Sequence, residues 1–214
     1  MRDRVMGDLV KGQVCLLVGL LLCVALMPEG LGANNGMSFY GVHWETFLPY
    51  AAGLLSAALF TRRALHDAAA ASPAPGKVRH AADAFAVLLA GIILTPYTVS
   101  GAVDWTHRLL GALLFALQLT LAVRLLAWAH ADAFGGAFLL VQLVGGVIAA
   151  IYVLQDDGFL LQGEATFQFG FGALLIRTIP LLPGSVLSPS PSIDPTLGDP
   201  AVACCGDGDG GSPA

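Results

Sequence analysis

Apolar runs separated by short polar breaks are repeated along the whole first part of the chain. They cover about 12–27, 46–60, 84–103, 109–128, 134–154 and 166–182. A helix needs roughly 17–25 predominantly apolar residues to cross a bilayer core about 30 Å thick. Six such runs predict an all-α fold, a polytopic transmembrane helical bundle of six spans occupying residues 1–182. From Pro183 the chain turns to Pro, Ser, Gly and Asp, and 183–214 reads as a disordered tail. The polar stretch 61–83, with "AAAASPAPGK" inside it, reads as a flexible connector between the second and third spans.

Composition agrees with this pattern. Of 214 residues, 56% are hydrophobic and 12% charged, about half the charge of an ordinary soluble domain. No polar stretch is long enough to build a separate core. The net charge is −5, and the absence of a basic stripe to neutralise phosphates argues against nucleic acid as a partner. Cys15 and Cys23 lie in the first apolar run and Cys204 and Cys205 in the tail, without zinc-ligand spacing or a disulfide framework. "LLLC", ending at Cys23, has Leu22 where a lipoprotein cleavage site needs a small residue.

The placement of charge predicts the threading. With the N-terminus in the cytoplasm, Arg2, Arg4, Lys11, Arg62, Arg63, Lys77, Arg79, Arg124 and Arg177 fall inside or near inner helix ends, and only Arg108 falls outside. Such a bias places both termini in the cytoplasm of the cell that owns an inner (plasma) membrane. "MRDRVMGDLVKGQ" also suits the lead of a signal peptide. Pro28-Glu29 and the lack of a small-x-small site directly after the run favour an uncleaved first span. In the sixth span, either Arg177 snorkels to the inner surface, or the helix begins near Phe159 and draws Glu164 into the outer leaflet.

Candidate chemistry is sparse. HExxH, GxSxG, Walker and GxGxxG motifs are all missing, and "DGDGG" (207–211) lacks the Glu that closes a calcium loop. Within the spans, Gln118, Gln142 and Gln168 need polar partners in hydrocarbon and should face other helices, as interhelical glue or as the lining of a path. Gly145, Gly146, Ala149 and Ala150, and Gly170 with Gly172, allow close helix approach. "LTPYTVSGAVDW" places Pro96 in the outer half of the third span. That predicts a kink whose freed backbone groups are met by hydroxyls, or a point where irregular backbone lines a cavity. "HAADAF" (80–85) and "HADAF" (130–134) echo one another. Asp83 and Asp132 either cap two helix starts or mark a duplicated two-helix unit.

The outer loops hold most of the remaining polar groups. Tyr40, Trp44, Tyr50 and Trp105 suit an aromatic belt. His43 and Glu45 lie in the first loop; Asp104, His107 and Arg108, with Tyr97 just before them, lie at the second; Asp156, Asp157 and Glu164 lie at the third. His43, His107 and carboxylates could ligate a metal, but ligands spread over three loops have no diagnostic spacing, and neither metal nor cofactor is expected. A lone outer cation at a helix start is opposed by the helix dipole. Arg108 should therefore pair with Asp104, Glu45, Asp156 or Glu164, or bind an anionic ligand or headgroup; Asp104 or Thr106 should cap the helix.

"SFYG…TFLPY", "TPYTVSG…DWTHRLLGALLFALQL" and "FQFGFGALL" resemble uncharacterised six-span bacterial integral membrane proteins. The resemblance covers most of the membrane region and implies the topology, with no reaction, cofactor or catalytic residue. The lipid bilayer is the expected partner, together with other membrane proteins. The leading reading is a non-enzymatic sensor, assembly factor or partner subunit with an outward polar rim. A small transporter would need a polar path joining Tyr97 to Gln118 and Gln142. A membrane enzyme acting on lipid-linked substrate would need His43, His107 and a carboxylate to converge.

Overall fold

The computed structural model describes residues 2–32, 34–130, 132–155 and 158–183. The expected tail, Asp156 and Asp157 lie outside the described residues. Within them are six α-helices: α1 Arg2–Leu26, α2 Trp44–Ala68, α3 Pro75–Leu94, α4 Gly101–Trp128, α5 Ala133–Gln155 and α6 Leu160–Thr178. Short 3₁₀ turns sit in the α1–α2 and α2–α3 connections and after α6. The helices run up and down, each packing on the next, and α6 also touches α1 and α4. α6 is therefore the inner helix. Its Phe167 stacks on Phe115 of α4 at 4.1 Å, and its Phe171 meets Phe85 of α3 at 5.9 Å. α5 packs chiefly on α6 and leaves its other side open.

Three helices, α1, α4 and the 133–152 part of α5, are long and apolar enough to cross a membrane. They are also lightly buried, with 28%, 28% and 22% of their most apolar windows inside the protein. Leu21, Leu22, Leu109, Leu113, Leu140 and Val147 are among the exposed apolar side chains. Large exposed apolar surface marks a membrane or protein interaction face. α2, α3 and α6 fall short because they carry charge near their ends or amides in the interior.

Several boundaries differ from the sequence reading. The connector expected at 61–83 is confined to 69–74. "RRALHD" extends α2 and "KVRHAAD" opens α3, because Ala, Leu, Arg and Lys are good helix formers and their charges find partners. The third helix, expected to reach 103, stops at Leu94. The residue before a proline disfavours the α region, so Thr95 ends α3 and Pro96 lies in the 95–100 corner instead of kinking a helix. α4 then starts eight residues earlier than expected, capped by Ser100, whose Oγ accepts from Val103 N–H at 3.3 Å. Neither Asp104 nor Thr106 is the cap: Thr106 Oγ1 donates back to the Ala102 carbonyl at 2.9 Å. α6 begins at Leu160 after Phe159, the earlier of the two starts considered.

Close approach of two helix pairs is set by glycine. A Cβ on Gly145 would lie 2.4 Å from Phe167 N and 2.8 Å from Gly163 O, and one on Gly163 would lie 2.7 Å from Ala149 N. Gly19 and Gly53 meet in the same way between α1 and α2, where a Cβ on Gly19 would lie 2.8 Å from Pro49 O. Backbone packed on backbone in this manner is how helices associate where apolar burial supplies no drive.

Just past α4, His130 has φ 53°, in the left-handed region that favours glycine. His130→Gly is expected to stabilise the protein by about 0.5–1 kcal/mol, read as a higher melting temperature in detergent. A lower melting temperature would show that the imidazole makes a compensating contact.

Candidate functional site

The two ends of the bundle differ chemically. One end, where α2 meets α3, gathers the ion pairs. Asp83 accepts from Arg62 Nε at 2.7 Å and is 2.9 Å from His66 Nε2. Arg4 lies 3.9 Å from Asp67 and Arg63 lies 4.0 Å from Asp8. Asp132 accepts from Arg177 Nε at 2.8 Å, with Arg177 Nη2 bonded to the same oxygen. Asp132 also caps α5 by accepting from Gly135 N–H at 2.8 Å. The Arg177 guanidinium, and then the Gly135 N–H, hold the Asp132 carboxyl below the usual carboxylate range. The two echoed aspartates thus differ: Asp132 is a cap, whereas Asp83 lies two turns inside α3 and bridges to α2. Arg177 reaches a carboxylate rather than snorkelling free.

The other end holds the predicted rim. His107, in the second turn of α4, donates Nδ1–H to the Thr95 carbonyl at 2.8 Å; the acceptor is a carbonyl, so this nitrogen carries the proton. It ties Thr95, the C-cap of α3, to α4 and fixes the corner that Pro96 creates. Thr95 Oγ1 donates to Gly91 O at 2.8 Å, and the Tyr97 ring stands 5.9 Å from the His107 ring. Arg108 Nε donates to both Asp104 oxygens at 3.0 Å. The predicted salt bridge is present, from the acid nearest in sequence. Its setting differs from expectation, because α4 starts at Gly101 and Arg108 is two turns in, where the dipole penalty has faded. Asp104 stands in the first turn, four residues N-terminal to Arg108, the favourable order for such a pair.

His43 is bound separately. Its Nδ1 donates to the Phe39 carbonyl at 2.8 Å, and its ring packs 4.3 Å from Phe39. Glu45 is exposed in the first turn of α2, where an acid suits the dipole. Among the described residues no hydrogen bond or ring contact joins the two imidazoles, and no group of three or more His, Cys, Asp or Glu is placed to hold a metal ion. Among the described residues, His43, His107 and a carboxylate are not brought into one such group. Trp44 and Trp105, 85% and 75% exposed, flank this end as belt residues would.

Glu164 is the rim residue whose role sequence reasoning missed. Half-buried in the second turn of α6, it accepts from Met37 N–H at 2.5 Å, while Leu161 N–H donates to Asn35 O at 2.9 Å. Together they pin the α1–α2 connection onto α6. The signal in the sequence was an acid inside an apolar helix, but its partner is a backbone amide 127 residues away.

Deeper in the bundle, Gln118 Nε2 donates to Gln168 Oε1 at 2.7 Å, and Gln168 Nε2 returns to Gln118 Oε1 at 3.3 Å. The pair joins α4 to α6. Gln142, fully buried on α5, has no hydrogen-bond partner for either amide atom among the described residues. A cavity of about 10 Å³ lies beside Tyr50, Pro96, Tyr97 and His107, room for about one water. Neither Gln118 nor Gln142 lines it, so it does not form the path a transporter would need.

Fold and site together define an all-helical protein, among the described residues, with three helices long and apolar enough to cross a membrane and a rim whose histidines, Arg108 and Glu164 are bonded to their neighbours. Comparison of the chain with protein-family models, with curated proteins and with solved structures returned no match.

Proposed function

We propose that the chain is a six-span integral protein of the inner (plasma) membrane, with both termini in the cytoplasm, and that it acts without catalysis as a sensor, assembly factor or partner subunit. The observation that carries this reading is the inequality of the two ends. One end collects most of the basic side chains, four of them in ion pairs with aspartates, and the other holds Arg108, two histidines and the exposed tryptophans. The basic end is then cytoplasmic. Even the shortest helix, α6 with 19 residues, is about 28 Å long at 1.5 Å per residue, so all six helices have spanning length. The rim side chains spend their hydrogen bonds on neighbouring backbone and on one another, which supports a shaped recognition surface over a reaction centre. The aromatic and acidic groups there fit another membrane protein better than a soluble substrate.

Two measurements test it. Gly101 and Gly76 are both exposed, and a Cβ at either meets nothing within 4 Å, so cysteine is tolerated at each. In a background lacking the native cysteines, Gly101→Cys is expected to react with a membrane-impermeant maleimide in intact cells, and Gly76→Cys only after permeabilisation. Labelling of both in intact cells would sink the topology. Purification in native lipid followed by mass spectrometry is expected to show a stoichiometric protein partner. A bound metal or a lipid-linked substrate would move the assignment to the enzyme reading.

A further inference from the structure

At the ion-paired end, four carboxylates are already taken: Asp8 by Arg63, Asp67 by Arg4, Asp83 by Arg62 and His66, and Asp132 by Arg177. Of the cations at this end left without such a partner, two line one cavity. Lys77 and Arg124 have no carboxylate within 4.0 Å among the described residues. Both are exposed, and both line one cavity of about 140 Å³ between α3 and α4. Lys77 stands in the first turn of α3, whose N-cap residue Ala74 supplies no side-chain cap. A cation at the positive end of an uncapped helix is an unfavourable placement that an anion relieves. The rest of the lining is apolar apart from Thr120, with Val78 of α3 and Leu117, Leu121 and Trp128 of α4.

We infer that this groove binds an anionic phospholipid, with the phosphate between Lys77 and Arg124 and an acyl chain along Val78, Leu117 and Leu121. A free phosphate would use the two cations and leave the apolar walls exposed. A zwitterionic lipid would bring its own cation to a site that already has two. Trp128 sits at the level where an indole favours the headgroup boundary. The inference rests on the proposed topology, under which this end faces the cytoplasmic leaflet, where anionic lipid attracts basic clusters.

Trp128 itself is the probe. Trp44→Phe/Trp105→Phe leaves it as the sole tryptophan, and both replaced residues lie at the opposite end. The full chain is reconstituted in phosphatidylcholine vesicles doped with brominated phosphatidylglycerol or brominated phosphatidylcholine, and Trp128 emission is recorded. Brominated phosphatidylglycerol is expected to quench at a mole fraction roughly thirtyfold lower, about the preference two cations provide at a membrane surface. Lys77→Gln/Arg124→Gln should abolish the preference, and Lys77→Arg/Arg124→Lys should keep most of it, which separates loss of charge from misfolding. Equal quenching by the two lipids overturns the site while leaving Trp128 in the bilayer. Quenching by neither removes this end from the membrane and overturns the topology with it. Loss of the preference in excess inorganic phosphate assigns the site to the free ion and overturns the lipid.

Discussion

Gly145→Leu is expected to separate α5 from α6 and to cost the protein about 3 kcal/mol, the upper part of the range for overpacking. The reason is what surrounds the new side chain. Its Cβ alone would lie 2.4 Å from Phe167 N, 2.8 Å from Gly163 O and 2.9 Å from Thr166 C. All three are backbone atoms of a helix, which cannot rotate aside as a side chain does. The helices must move apart, and the contacts of Gly163 with Ala149 and of Gly170 with Gln142 loosen with them. Gly136→Leu on the same helix is the control. A Cβ there meets nothing within 4 Å, and the change should stay within about 0.5 kcal/mol, as surface substitutions do. Reversible unfolding in mixed micelles measures both. Equal midpoints for the two variants would show that α5 does not dock on α6 through Gly145.

Gln118→Leu should cost about 1–2 kcal/mol, because it strands the Gln168 amide inside the bundle. Replacing both glutamines is expected to restore much of that loss, since the double variant leaves no unpaired amide. A double-mutant cycle measures the coupling, and strictly additive losses would mean that the 2.7 Å and 3.3 Å bonds contribute nothing. Gln142→Leu is expected to behave oppositely. Its amide is buried without a partner, so removing the polar atoms should leave stability unchanged or raise it. A destabilisation as large as that of Gln118→Leu would reveal a ligand or water that this amide holds in the membrane.

These expectations rest on features with different visibility in the sequence. That Gln118 and Gln168 face protein followed from their position in apolar runs, because an amide cannot be left in hydrocarbon. That they face each other did not, since 50 residues separate them. Gly145 was legible as a small residue in an apolar helix. Gly163, its counterpart, was not, because it lies in the polar start of α6, and Gly19 with Gly53 were lost among other small residues. That Arg108 pairs with an outer acid was legible because it is the lone outer cation; that the acid is Asp104 was one of four options, and the early start of α4 puts the two at i,i+4. The role of His107 was not, because it depends on where α3 stops.

The sequence by itself determined the helical class, the number of apolar runs and the segregation of charge, since each depends only on local composition and period. It also contained the helix stop at Pro96, which acts through the residue just before it. Only the tertiary structure decided that α6 is the inner helix, that Glu164 clamps a distant loop, and that His43 and His107 serve separate corners. It alone showed that Lys77 and Arg124 share one groove with no carboxylate among the described residues lining it. Those facts follow from which faces meet across the bundle, and contacts between residues far apart in sequence are set by packing rather than by the pattern along one helix.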